Sequence, residues 1–191
     1  MANSSSILYL ILLAFLPTLT ISSTHHHDRH RHHGLKSIHF TLYQHDVVNK
    51  TDFLIVPSPF GTNITQTTSP FGTVGVINDK LTLTPDPTSK VLGSVQSISI
   101  TSSFDGLDSL SICRIKLELE NGLTGSLSLL GVVNALKTSD NPVVGGTGDF
   151  LFVQGYVTAS PVSFQGFTYV YKQDFHLFWP PYVMGLSLDP K

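Results

Sequence analysis

Cys113-Arg114-Ile115-Lys116-Leu117-Glu118-Leu119-Glu120 alternates without a slip, with small or apolar side chains at odd positions and charged ones at even positions. A period of two puts each set on its own face of an extended chain, so the stretch reads as a strand with one face buried and one in water. Asp105-Gly106 and Asn121-Gly122 bound it, both dipeptides that favour tight turns. Working outward, Ile38, Phe40 and Leu42 alternate in the same way with His39, Thr41 and Tyr43. Further short strands are expected at Phe53–Val56, Gly72–Ile77, Val91–Thr101, Ser109–Glu120, Gly125–Leu130, Phe150–Val157 and Phe164–Phe178, with Gly145-Gly146-Thr147-Gly148 as a turn. No window of helical length carries a 3.6-residue apolar stripe. About eight antiparallel strands at fairly even spacing fit a closed barrel or a sandwich. The expectation here is an all-β, eight-stranded antiparallel barrel, because closure removes both exposed edges and can enclose one small-ligand cavity.

Composition narrows the function classes. Of 191 residues 13% are charged and 41% hydrophobic, which is the balance of a packed domain rather than of a disordered chain. A formal net charge of −2 gives no footprint for nucleic acid. Cys113 is the single cysteine, so no internal disulfide and no cysteine-based zinc site can form.

Four segments are expected. Ile7–Leu16 is an almost unbroken apolar run, shorter than a membrane span, and small residues Thr20, Ser22, Ser23 and Thr24 follow Pro17. Residues 1–23 therefore read as a secretory signal, whose removal leaves a secreted chain without membrane attachment. Residues 24–35 hold a tract from His25 to His33 with six histidines, read as a flexible, pH-sensitive tail. The barrel is placed at 36–178. The remaining 179–191, beginning Trp179-Pro180-Pro181-Tyr182, reads as a tail that packs across a barrel mouth or an oligomer interface. Asn49-Lys50-Thr51 and Asn63-Ile64-Thr65 are acceptor sequons beside expected loops, which makes Asn49 and Asn63 candidate glycosylation sites.

Three motifs go further than periodicity. Tyr43-Gln44-His45-Asp46 ends the first strand, and Phe71-Gly72 leads through Asp79-Lys80-Leu81-Thr82. Ser89-Lys90, Gly93 and Gln96 precede Val143-Val144-Gly145-Gly146-Thr147-Gly148-Asp149-Phe150, with Gln154-Gly155-Tyr156 behind. In this order and spacing they resemble the plant dirigent family over roughly Ile38 to Phe178. The resemblance implies an eight-stranded barrel of the dirigent and allene-oxide-cyclase type, secreted to the apoplast, working as a homo-oligomer (trimer or dimer) and using no cofactor or metal. It implies a phenolic substrate or radical, with a laccase or peroxidase supplying the radicals. Members of the family direct the stereochemistry of phenoxy-radical coupling to lignans, from monolignols such as coniferyl alcohol, or catalyse related cyclisations of quinone methides. Physically that is catalysis by orientation with acid–base help.

Carried over position by position, the resemblance makes Asp46 the candidate catalytic acid, its carboxyl expected to face a pocket and to hold its proton through burial. A turn aspartate capping backbone amides is the alternative. Where the family usually has two tyrosines after Gln-Gly, Ser99 and Thr101 stand here, and Ser139 lies near the family's arginine position. Ser99 and Thr101 are candidate pocket residues; Asp149 either reaches a cavity mouth or caps its glycine turn. His45, one residue from Asp46 on the strand, points to the opposite face and reads as structural. The other function class is a non-catalytic cell-wall binding or scaffold protein that keeps the barrel and has lost pocket polarity.

Overall fold

The computed structural model describes residues 36–181 apart from position 66. The expected signal segment and the histidine tract lie outside those residues, as does the tail from Tyr182 on. Nine strands follow in order: β1 (Lys36–Val47), β2 (Asp52–Val56), β3 (Val74–Thr82), β4 (Val91–Thr101), β5 (Asp108–Glu118), β6 (Thr124–Asn134), β7 (Ser139–Gly148), β8 (Gln154–Gln165) and β9 (Thr168–Trp179). Every neighbouring pair among them is antiparallel. From β3 to β9 each strand pairs with the next, β9 pairs with β1, and β1 returns to β3. The result is a closed, eight-stranded antiparallel barrel.

Closure is short. β1 pairs with β9 along its whole length from Lys36↔Trp179 to Val47↔Thr168, but meets β3 only at Tyr43↔Thr82, Gln44↔Leu81 and His45↔Lys80. Past the seam the chain turns through Asn49, whose φ of 62° is a conformation asparagine tolerates. β2 then takes over the edge of β3, from Asp52↔Ile77 to Val56↔Val74. The barrel wall therefore splits between β1 and β2 at its upper end. Outside the seam the buried His45 ring nitrogen Nε2 lies 2.7 Å from the Thr82 hydroxyl, which donates to the Thr84 carbonyl at 2.7 Å. Burial first, and Lys80 second, hold the His45 ring below its ordinary pKa. His45 is a clamp on the closure, as its parity with Asp46 implies.

Strand parity fills the lower half of the barrel with apolar side chains. Leu42, Leu81, Leu117, Leu127, Phe175 and Leu177 are all at most 2% exposed. Each such side chain contributes about 1.5–3 kcal/mol by leaving water. Phe150 and Trp179 stack at 6.3 Å within this same core. Trp179 thus belongs to β9 and to the core, 4% exposed, and is not part of a separate tail.

Two local expectations are corrected. Gly145-Gly146-Thr147-Gly148 is the end of β7 rather than a turn, and the turn lies one step later, at Asp149–Val153. Close approach of the chain requires two of the glycines: a Cβ on Gly146 would lie 2.1 Å from the Phe150 carbonyl oxygen, and one on Gly148 would lie 2.6 Å from that of Thr124. Phe164–Phe178 is not one strand but the β8–β9 hairpin, turning at Gly166 with φ 61°.

Gly146→Ala is accordingly expected to destabilise the barrel by about 3 kcal/mol, since the clash is with backbone that cannot rotate away. Denaturant titration of the variant measures this, and an unchanged midpoint would contradict the packing at the closed end.

Candidate functional site

Above the apolar floor the barrel encloses a cavity of about 490 Å³. The inward faces of β1, β3, β4, β5 and β9 build most of its wall, and the loops at Asn49, Thr65–Ser69, Gly106–Leu107 and Phe167 rim its mouth. No lysine, arginine or histidine is among the described residues that line it.

Asp46 lies on this wall as the first residue past the β1–β3 seam, with Gln44 two positions below on the same face. It is 6% exposed, and its Oδ1 is buried with no hydrogen-bond partner. Burial, followed by the charges of Asp79 and Asp52, pushes its carboxyl up to about 8. A buried carboxyl without donors keeps its proton, since ionising it would leave an uncompensated charge in a low dielectric. The capping alternative thus finds no support, because among the described residues no backbone amide donates to either Asp46 oxygen.

Two further acids surround it. Asp52, where β2 begins, also lines the cavity, and burial raises its pKa. Asp79 on β3 is 1% exposed and is not among the residues that line the cavity. Its Oδ2 accepts a hydrogen bond from Gln44 Nε2 at 2.6 Å, while Oδ1 has no partner. Burial pushes it up to about 6, against the Thr51 hydroxyl and the Gln44 amide, which favour the anion.

The opposite wall is lined with hydroxyls. Ser99 faces Ser111 and Thr101 faces Ser109 across β4 and β5, with Ser97 beside Cys113 below, and all six line the cavity. Burial pushes the Cys113 thiol up to about 12, so it stays a neutral thiol. Tyr169 and Tyr171 on β9 supply phenols to the cavity, both held above their ordinary pKa by burial. Phenolic side chains, absent from the positions after Gln96, thus enter from another strand.

The structure brings Asp46, Ser99 and Thr101 together in one cavity. It does not bring Asp149 there: the exposed Asp149 carboxylate accepts a hydrogen bond from the Thr124 amide at 2.7 Å, beside the closed end of the barrel. Asp149 stabilises a turn, and its place among the pocket residues is withdrawn. Asn49 and Asn63 are both exposed in loops, and Asn49 stands at the cavity mouth. Asp52, Asp79, Gln44, Gln173, Tyr169 and Tyr171 were not singled out as site residues from sequence. Parity was the available signal, since Gln44 shares the face of Asp46, and Tyr169, Tyr171 and Gln173 share that of Phe175. Among the described residues no three His, Cys, Asp or Glu side chains gather into a metal-holding group.

The structure is thus a closed antiparallel β-barrel with an internal cavity whose wall carries a buried carboxyl. The dirigent-like protein family model matches residues 37–178, and the chain belongs to that family. It is 31% identical over 174 residues to a dirigent protein of Sinopodophyllum hexandrum, covering 86% of this chain and 90% of that one. It is 30% identical over 167 residues to pterocarpan synthase 1 of Glycyrrhiza echinata, covering 83% and 88%. A solved pterocarpan synthase dirigent protein superposes with a TM-score of 0.67 at 27% identity, over 76% of this chain and 91% of that structure.

The folded protein keeps the Asp46 proton up to about pH 8, whereas the unfolded chain releases it near the ordinary carboxyl value. Folding takes up a proton between those limits, so the cost of Asp46 is absent at pH values below about 4 and grows as pH rises towards 8. Asp46→Asn should therefore stabilise the barrel at pH 7, by on the order of 1–3 kcal/mol, and leave it unchanged in acid. Thermal melting at both pH values tests this. A loss of stability on substitution would restore the capping role.

Proposed function

We propose that the protein is a secreted dirigent protein that takes an uncharged phenolic intermediate into the barrel and controls the face on which a new bond forms. One observation carries the reading: the Asp46 carboxyl is buried on the wall of a cavity whose described lining holds no positive side chain, and burial pushes its pKa up to about 8. Such a group can give a proton to an oxygen that becomes basic during reaction. In a quinone-methide cyclisation, Asp46 protonates the methide oxygen while a hydroxyl of the same molecule adds to the methide carbon. The C–O bond forms, the ring becomes aromatic, and the proton of the added hydroxyl returns to the Asp46 carboxylate. No oxidant is consumed. In radical coupling the oxidation is done beforehand by a separate laccase or peroxidase, and the cavity holds the two radicals in one relative orientation. The likeness to pterocarpan synthase dirigent proteins supports the cyclisation branch; the dirigent relatives support both.

The purified protein, supplied with coniferyl alcohol and laccase or with a quinone-methide precursor, is expected to give an enantiomeric excess by chiral chromatography. Asp46→Asn should slow the directed reaction by about 10²–10⁴-fold, letting the racemic background dominate. The wild-type rate should fall above about pH 8 as Asp46 loses its proton. The missing arginine favours a second reading, a cell-wall binding protein without turnover, and racemic product from every precursor would select it.

The same proposal includes secretion to the apoplast, glycans on Asn49 and Asn63, and assembly with further copies of the chain. For assembly the outer wall is the support. Ile98, Ile112 and Leu130 are in register across β4–β6, as are Ile100, Leu110 and Val132. All six are exposed, an apolar patch of the kind that marks a contact face. Ile112→Lys should shift the sedimentation of the protein to that of a monomer, whereas a monomeric wild type would end the assembly reading.

A further inference from the structure

Resting on the phenolic reading of the cavity, we propose that Gln173 is a substrate-binding residue whose carbonyl oxygen accepts a hydrogen bond from a free hydroxyl of the ligand. Asp79 and Gln44 aim that carbonyl. Hydrogen-bond polarity sets which atom of Gln173 faces a ligand. A side-chain amide can present either end to a neighbour, and only its partners decide which. Asp79 decides here, because its Oδ2 is the acceptor that faces the Gln44 amide. Gln44 must therefore turn its Nε2 to Asp79 Oδ2, at 2.6 Å. Its Oε1 is left for Gln173, whose Nε2 donates to it at 2.8 Å. Both amide atoms of Gln44 are then used. Gln173 gives one of its two N–H donors to Gln44, so its Oε1 and its second N–H are left over.

That leftover oxygen is placed for a ligand. Gln173 is 7% exposed and lines the cavity, on the same face of β9 as Tyr171. No hydrogen bond to its Oε1 is found among the described residues, and the atom is not one of the fully buried, unpartnered oxygens. An acceptor in a closed, largely apolar space favours a ligand that brings a donor and disfavours one that leaves it bare. The ligand class is thus an uncharged aromatic with a free hydroxyl, its donor directed to Gln173 between β1 and β9. Asp79 and Gln44 are positioning residues, since Asp79 does not line the cavity and acts only through the amide chain.

A propyl guaiacol carrying one free hydroxyl, and its methyl ether, differ in this donor and in one methyl group, and the Gln173→Met protein separates the two effects. Calorimetric titration of the wild-type protein is expected to show the phenol binding about 10-fold or more tightly than the ether. Gln173→Met should bring the two affinities together. Asp79→Asn should also shrink the preference, although residue 79 does not reach the ligand, because an amide there can donate as well as accept and no longer fixes the chain. A role of Asp79 in stability alone would weaken both ligands equally and leave their ratio untouched. Should Asp79→Asn not fold, Gln44→Met cuts the same chain one step later and carries the same expectation. Equal binding of phenol and ether to the wild type overturns the acceptor assignment while leaving the dirigent reading in place. A full preference retained in Asp79→Asn overturns the aiming role, and failure of both compounds to bind overturns the phenolic cavity itself.

Discussion

The seam between β1 and β3 holds the barrel shut with three residue pairs, and Asp46 is the first residue beyond it. Had β1 continued along β3, the end of β1 would be an ordinary part of the wall. Because β1 parts from β3 there and β2 replaces it, the wall opens between Asp46 on one side and Asp52 on the other. The seam's outer side is held by His45 and Thr82 and its inner side by Gln44 and Asp79. Closure of the fold and placement of the acids are thus one arrangement, built on Gln44-His45-Asp46.

Electrostatics then decides what the cavity can hold. Asp46, Asp52 and Asp79 are gathered without a positive side chain among the residues lining the cavity, and each charge would disfavour the others. The folded state answers by keeping Asp46 protonated and by giving Asp79 the amide of Gln44. An anionic ligand would find nothing to balance it here. An uncharged ligand with hydroxyl groups finds serine and threonine hydroxyls on β4 and β5, tyrosine phenols on β9, and a proton donor between.

Much of this was legible in the sequence wherever alternation was clean. Val91–Thr101 was read with the bounds it has, and Ser109–Glu120 within two residues of β5. Strand β7 was hidden, because Asp140-Asn141-Pro142 and four residues rich in glycine look like a loop. Gly146 and Gly148 answer to the backbone packed against them, which no local pattern records. The β8–β9 turn was hidden too, since Gln165-Gly166-Phe167 lacks the asparagine or aspartate of common hairpin turns. Asp46 could be placed by parity and by family resemblance. Asp79 carried its own signal, an acid on the apolar face between Ile77 and Leu81, but its link to Gln44 and Gln173 joins three strands and exists only once the barrel has closed.

The central claim is that Asp46 enters the cavity as a neutral acid. Carbon-13 NMR titration of the aspartate carboxyl groups measures this directly, with the Asp46→Asn protein identifying the resonance. The account predicts a midpoint near pH 8 for Asp46, apart from the other carboxyl groups. A midpoint at the ordinary carboxyl value, near pH 4, would show the group ionised throughout the working range and would contradict it.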